Sequence, residues 1–298
     1  MSGVTQPVFR FAPSPNGRLH LGHAYSALLN ADLAARRRGR LLLRIEDIDV
    51  TRCRSEFEQA IYEDLAWLGV GWEQPVRRQS EHFAEYGAAA ERLTRKGLLY
   101  PCFCSRSEIA REVAGREADT GNPWPRDPDG APIYPGTCRA LARQAREGRL
   151  ASGIPHAWRL DLTAALAAAP GPHAFTAFWP DGTSAAVATD ASRWGDAVIV
   201  RKEIPTSYHL SVVLDDAVQA VTHVVRGADL EAATDLHVLL QAVLELPTPA
   251  YHHHRLVRDE EGDKLSKSLG SQPLAEWRRR GVSASEVRAA LGFPEPRA

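Results

Sequence analysis

Lysine is scarce in this chain. There are four, Lys96, Lys202, Lys264 and Lys267, against thirty-two arginines. A bias of that size reads as codon composition, so a single arginine says little and a lysine kept against the trend says more. Methionine occurs only as Met1, and cysteine only as Cys53, Cys102, Cys104 and Cys138. Three of the four fall within one segment, which points to metal rather than to disulfide staples. No apolar run approaches the length of a membrane span. The first residues, MSGVTQPVFRF, lack the basic-then-apolar layout of a secretory signal. The expectation is a cytoplasmic protein with no membrane partner, in which structural disulfides are rare. The formal net charge is −1. That excludes a protein-wide basic field, so any contact with RNA needs a local basic patch. Internal repeats and low-complexity tracts are lacking too, which excludes solenoid and disordered classes.

What is present suits a folded domain. The 298 residues are 44% hydrophobic and 24% charged, enough for a substantial core in one large or two small domains. The chain opens with a strand, turn, helix and strand. VFRFA (8–12) is a short apolar strand and PSPNGRLHLGH (13–23) a Pro/Gly turn. A helix runs to about Arg38 with Ala24, Leu28, Ala31 and Ala35 on one stripe and Gly39 as its stop. LLLRI (41–45) reads as a buried parallel strand. The pattern predicts a Rossmann-type, doubly wound parallel α/β sheet.

Two helices follow, the first opened by a Ser55–Glu58 capping box and the second closed by Gly97. From 115 to 137 the chain is dense in Gly and Pro and reads as loop. The expected organisation is a first half-sheet over 1–100, an inserted region over 101–185 and a second half-sheet over 186–248. A tail over 249–298 carries a loop and short helices. Strands are expected at AVIVRK (197–202), YHLSVVLD (208–215) and THVVRG (222–227). A helix is expected over 229–246, stopped by Pro247, and Ser283 with Glu286 boxes the last helix.

Two motifs carry chemistry. In PSPNGRLHLGH, His20 and His23 arrive where a helix begins. Free N–H groups and the helix dipole there favour phosphate, and two imidazoles add donors. Gly22 clears space where an adenine or ribose would approach. Taken alone, the pair also fits two surface histidines near a cap. The second motif is KLSKS (264–268), which holds two of the four lysines. A loop with two mobile ammonium groups can close on a triphosphate and neutralise charge as pyrophosphate leaves. Alone it also fits a solvated turn. A third candidate is Cys102-Phe-Cys104 with Tyr134-Pro-Gly-Thr-Cys138. Three thiols and a phenol could hold zinc, or be three buried free cysteines and an unrelated tyrosine.

HLGH together with KLSKS resembles the signature pair of class I aminoacyl-tRNA synthetases. RFAPSPNGRLHLGH, LLLRIEDID, THVVRGADL and GDKLSKS resemble the glutamyl-tRNA synthetase group over nearly the whole chain. Thirty residues follow Ser268, too few for an anticodon-reading domain. On that ground the chain resembles the truncated glutamyl-Q tRNA(Asp) synthetase family.

The resemblance implies activation of L-glutamate with ATP and Mg²⁺, and transfer to the queuosine base of tRNA(Asp) by a monomer. It implies His20, His23 and Lys267 as catalytic, with Gly22, Lys264, Ser266 and Ser268 beside them at ATP. It implies Arg10, Phe11, Ala12, Pro13, Ser14, Glu46, Tyr208 and Arg226 at glutamate. Glu46 would take the ammonium; Arg10 and Arg226 would take the carboxylates, with the side-chain carboxylate assigned to Arg10. Asp47 and Asp49 would anchor the loop after their strand. The resemblance also implies structural Zn²⁺ on Cys102, Cys104, Tyr134 and Cys138, within an acceptor-domain-like insertion. A short α-helical part would close the chain.

Three other readings stand beside this one. They are a nucleotidylyltransferase of another class, a truncated synthetase charging the tRNA 3′ end, and a non-catalytic tRNA-binding paralogue. The Arg-rich stretches 36–40 and 278–280 fit either phosphate contacts or solvated helix faces.

Overall fold

The structure, a computed structural model, describes residues 6–257 and 272–293. The chain starts with β1 (Val8–Phe11), α1 (Leu21–Arg36), β2 (Arg40–Ile45), α2 (Ser55–Trp67), β3 (Glu73–Arg78) and α3 (Phe83–Arg95). Next come β4 (Leu99–Cys102), α4 (Arg106–Thr120), α5 (Arg143–Ala151), β5 (Ala157–Leu160), α6 (Leu162–Ala168), β6 (Ala174–Phe178), β7 (Ser184–Ala188) and β8 (Val198–Val200). It ends with α7 (Tyr208–Val218), β9 (His223–Gly227), α8 (Ala233–Leu244), β10 (Ala250–His254), α9 (Leu274–Arg279) and α10 (Ala284–Ala290).

The large sheet has the order β3-β2-β1-β9-β10-β6-β7. All its pairings are parallel except β6 with β7. A small antiparallel sheet has the order β4-β5-β8. The sheet reverses chain order where β9 lies beside β1. There the crevice above the carboxyl ends of the strands is open, which is where open α/β sheets bind ligands. The stretch 101–185 feeds both sheets: β5 joins the small one, β6 and β7 the large one.

Helix α1 packs on β1, β2 and β9. Its buried residues are Ala24, Ala27, Leu28, Leu29, Asn30, Leu33 and Ala34. Ala35, expected on that stripe, is exposed. The left-handed turn at its end falls on Arg38 (φ 51°), not on Gly39. Gly39 is needed for another reason. A Cβ there would stand 2.6 Å from the Pro7 carbonyl, at the point where Arg40 donates to that carbonyl and β1 meets β2.

Three further expectations are corrected. YHLSVVLD is a helix, α7, capped by the Ser207 side chain, which accepts from Leu210 N–H. Its continuous apolar run mimicked a buried strand because it is buried on nearly all sides, from Leu210 to Asp216. Ser55 is the first residue of α2 and not its cap; Arg54 occupies the cap without a side-chain bond. Glu58 instead accepts from Tyr62 and Arg78. The loop expected from 115 begins later, because α4 runs through Gly115 to Thr120. A Ser105–Glu108 capping box opens that helix and a left-handed Gly121 ends it. The Ser283–Glu286 box is present as expected. Among the described residues no helix is long and apolar enough to cross a membrane.

The last helices are tied to the first motif. Leu274 N–H donates to the Leu19 carbonyl at 2.8 Å, and Arg278 faces Asp64 of α2 at 3.4 Å. Asp64 is fully buried, and among the described residues neither carboxylate oxygen accepts a hydrogen bond. Burial lifts its pKa from 3.8 to about 6 against the pull of Arg278 and Arg18. A carboxyl raised in the folded state favours folding when protonated. That contribution is complete below pH 3.8 and lost as pH rises through about 6. Asp64→Asn is therefore expected to gain stability over the native chain at pH 7.5, with the gain shrinking towards pH 4. Urea melts at both pH values check it, and a gain independent of pH would contradict it.

Candidate active site

The turn after β1 delivers His20 to the N-cap of α1. Its Nδ1 accepts from Gly22 N–H at 3.1 Å, while His23 Nδ1 accepts from His20 N–H at 3.2 Å. The two imidazoles thus form a reciprocal capping box. Because each Nδ1 accepts, each Nε2 carries the proton, leaving two N–H donors beside the helix N-terminus. Burial lowers the pKa of both rings, that of His23 to about 3, with His20 adding to the effect. They are neutral donors at neutral pH. Gly22 serves this cap directly: a Cβ there would lie 2.9 Å from His20 Cε1.

One cavity of about 430 Å³ opens beside this cap. His20, Gly22 and His23 line one part of it. Arg10, Phe11, Ala12, Pro13, Ser14, Glu46, Tyr208 and Arg226 line it too, with Asp229 and His254 among the others, so the expected glutamate and histidine-motif residues share one space. Lys264, Ser266, Lys267 and Ser268 lie outside the described residues.

The charged groups differ in how they are held. Arg10 donates to Asp216 at 3.2 Å and to the Val225 carbonyl at 3.4 Å. Glu46 accepts from Arg44 at 3.1 Å. Burial raises the pKa of Glu46, opposed by Arg44 and Arg10. Asp216 also accepts from Arg44, at 2.7 Å. Burial would raise its pKa, but Arg44 and Arg10 outweigh burial and hold it down. Arg226 meets Tyr208 Oη, His237 Nδ1 and Thr234 Oγ1. Asp47 accepts from the Ser80 amide and hydroxyl, and Asp49 from Thr51 and Arg52, so both anchor loops. The Arg-rich stretches are largely engaged within the fold. Arg36 pairs with Asp32, Arg40 with Glu73, Arg278 with Glu63 and Asp64, and Arg279 and Arg280 with Glu276.

A second cluster lies in the 101–185 stretch. The Cys102, Cys104 and Cys138 sulfurs all lie within 4.8 Å of one another. Tyr134 Oη is 3.4 Å from Cys104 Sγ and accepts from the Cys138 amide at 2.8 Å. A tetrahedral zinc with bonds near 2.3 Å needs sulfurs roughly 3.8 Å apart, so the spacing fits. The Phe103 amide donates to Cys138 Sγ at 3.3 Å. The Arg159 guanidinium lies 4.0 Å from the Tyr134 ring centre, a cation placed to offset an anionic ligand set. A hydrogen bond from Cys102 lowers the pKa of Cys138, whereas burial raises that of Cys104. Cys53 is elsewhere, 3.7 Å from Ser14 Oγ.

A family model described as "tRNA synthetases class I (E and Q), catalytic domain" matches residues 7–283. The chain belongs to this family. Among curated relatives in the family, it is 44% identical over 290 residues to a glutamyl-Q tRNA(Asp) synthetase of Rhodobacter capsulatus. That alignment covers 96% of this chain and 100% of the relative. It is 38% identical to glutamate–tRNA ligase 2 of Nitrosococcus oceani, over 91% of this chain and 56% of that one. Among solved structures, the glutamate tRNA ligase of Elizabethkingia meningosepticum in complex with its amino acid superposes with a TM-score of 0.70. It is 26% identical, over 89% of this chain and 53% of that chain. The chain therefore spans about half the length of the glutamate–tRNA ligases it matches.

In this synthetase-family fold, several pocket residues escaped sequence reading. Arg44 and Asp216 support the cavity from beneath, and His237 and Thr234 support Arg226 from α8. Asp216 was hidden because it follows directly on 208–215, which read as a strand. His237 carries no motif, and only the packing of α8 behind β9 brings it to Arg226. For the cysteine cluster, Cys104→Ser is expected to lower bound zinc and the melting temperature together, measured by metal analysis and thermal denaturation. Unchanged stoichiometry and melting would contradict a structural metal.

Proposed function

We propose that this chain activates L-glutamate with ATP and transfers it to the queuosine base at the anticodon wobble position of tRNA(Asp). The observation that carries the reading is the cavity beside the α1 N-terminus. It joins the Glu46 carboxylate and two guanidinium groups, suited to an amino acid with two carboxylates, to a helix N-terminus bearing two imidazole N–H donors, with Asp229 also on its wall. The near-full-length likeness to a relative named for that activity favours the queuosine acceptor over the tRNA 3′ end.

In this reading the substrate ammonium meets Glu46, and its carboxylates meet Arg10 and Arg226. The α-carboxylate attacks the α-phosphorus of ATP, which arrives with Mg²⁺. The new bond is a carboxyl–phosphate anhydride, and the bond to pyrophosphate breaks. The Nε2–H groups of His20 and His23 hold phosphate oxygens, and Lys267 neutralises the departing pyrophosphate. No side chain becomes covalently attached. A queuosine hydroxyl then attacks the anhydride carbonyl and releases AMP. A modified base in a single-stranded loop is open to such attack. Zinc on Cys102, Cys104, Tyr134 and Cys138 would supply fixed geometry to a loop-rich stretch and no chemistry.

The test is glutamate-dependent ATP–pyrophosphate exchange, run with and without tRNA, followed by transfer of labelled glutamate. Exchange is expected without any tRNA. Transfer is expected to tRNA(Asp) carrying queuosine and not to the same tRNA lacking it. Charging of the 3′ end of tRNA(Glu) would replace this reading with that of a truncated synthetase. Lys267→Ala is expected to lower exchange by about 10²–10³-fold, the effect of losing one preorganised charge stabiliser. An unchanged rate would remove that lysine from the mechanism.

A further inference from the structure

The two arginines of the cavity are not equivalent. Arg10 already has a carboxylate partner, Asp216, at 3.2 Å. Arg226 is only 5% exposed, yet each partner of its guanidinium is formally neutral. It donates to Thr234 Oγ1 at 2.8 Å and to Tyr208 Oη and His237 Nδ1, each at 3.2 Å, and reaches His253 Nε2 at 3.5 Å. Among the described residues no carboxylate pairs with it. A buried charge without a counter-ion costs several kcal/mol on the general scale, so this arrangement stands out from the rest of the core.

The proton positions in this nest follow from the donors. Arg226 can only donate, so His237 Nδ1 accepts and His237 Nε2 carries the hydrogen. That hydrogen points to His209 Nδ1, 3.1 Å away. Thr234 Oγ1 accepts from Arg226 and gives its own proton to His253 Nε2 at 3.0 Å. The scheme requires neutral rings. Burial first, and Arg226 second, push His237 far below its usual range, His209 to about 4 and His253 to about 3. The nest therefore grips Arg226 without cancelling its charge.

We infer that His237, braced by His209, is a positioning residue for substrate selection. It holds Arg226 in place while leaving it without a counter-ion, so that a carboxylate of the amino-acid substrate supplies the neutralising charge. The inference rests on the proposed glutamate pocket, places the substrate's side-chain carboxylate on Arg226 in place of Arg10, and adds to it a reason for preferring acid to amide. A carboxylate cancels the buried cation, whereas an amide offers only a neutral oxygen. An aspartate in place of His237 would hold Arg226 equally firmly and remove that preference.

The experiment compares His237→Asn with His237→Asp in the full chain. The two side chains are nearly the same size and differ in charge. The readouts are thermal melting, glutamate-dependent ATP–pyrophosphate exchange, the same assay with glutamine, and calorimetric titration with glutamate alone. His237→Asn keeps a neutral acceptor for the guanidinium and is the reference for KM for glutamate. His237→Asp is expected to raise it by at least about tenfold, the scale of one charge-assisted hydrogen bond. Its kcat should change little, and the advantage of glutamate over glutamine should narrow. Equal KM and equal selectivity in the two folded variants would overturn the inference. If His237→Asp does not fold, Thr234→Asn and Thr234→Asp give the same charge comparison on the other side of the guanidinium. A native chain with neither exchange nor heat on glutamate titration would instead defeat the glutamate reading itself.

Discussion

Arg44 is the interaction on which the site depends. Its side chain is fully buried, between Asp216 at 2.7 Å, Glu46 at 3.1 Å and Asp215 at 3.8 Å. Burial alone would lower its pKa, but the three carboxylates outweigh burial and keep it charged. One guanidinium therefore joins β2, which carries it, to α7, which carries both aspartates. Asp215 extends the link outward, accepting from Arg77, Gln79 and Tyr86. Breaking one member of such a buried set strands the others, at a cost of about 3–5 kcal/mol. An apolar pair of similar volume could stabilise the fold as well, so stability is not a sufficient reason for this network. What it adds is direction. Through Asp216 it orients Arg10, and through its own Nη2 it orients Glu46.

The cavity thus contains two electrostatic designs. On the β1–β2 side, cations and carboxylates already compensate one another, and a ligand exchanges partners with them. On the β9 side, neutral histidine and threonine acceptors hold Arg226, and compensation is left to the ligand. The helix N-terminus beside them is likewise built from neutral groups. His20 and His23 are neutral donors fixed by each other's backbone and ring atoms. A pocket assembled this way depends little on rearrangement, since its donors are aimed before a substrate arrives.

The cysteine cluster addresses a different physical problem. The segment around it has Gly- and Pro-rich turns and a helix, α5, with no buried residue. Its local core is small, centred on Tyr100, Phe103 and Tyr134 with the cysteines themselves. Coupling a metal to such a segment would turn binding energy into folding energy. The 3.4 Å approach of Cys104 Sγ to both Cys138 Sγ and Tyr134 Oη suits that use.

The sequence by itself determined the parallel β1–α1–β2 opening and the helix N-terminus at His20. It also determined which residue types would be candidates for the pocket. Those features are local: short apolar strands, a Pro/Gly turn and a cap are written within a few residues of one another. The tertiary structure decided whatever depends on a partner distant in the chain. Residues 208–215 are a helix because packing on several sides buries a run that period alone could not distinguish from a strand. Ser55 does not cap α2, and Glu58 is drawn to Tyr62 and to Arg78 across the fold. Arg10 meets Asp216 across 206 positions, and Arg226 meets a histidine from another helix. Only that assembly makes one arginine compensated and the other not. A charge is visible in the sequence, but its counter-ion is chosen by the fold.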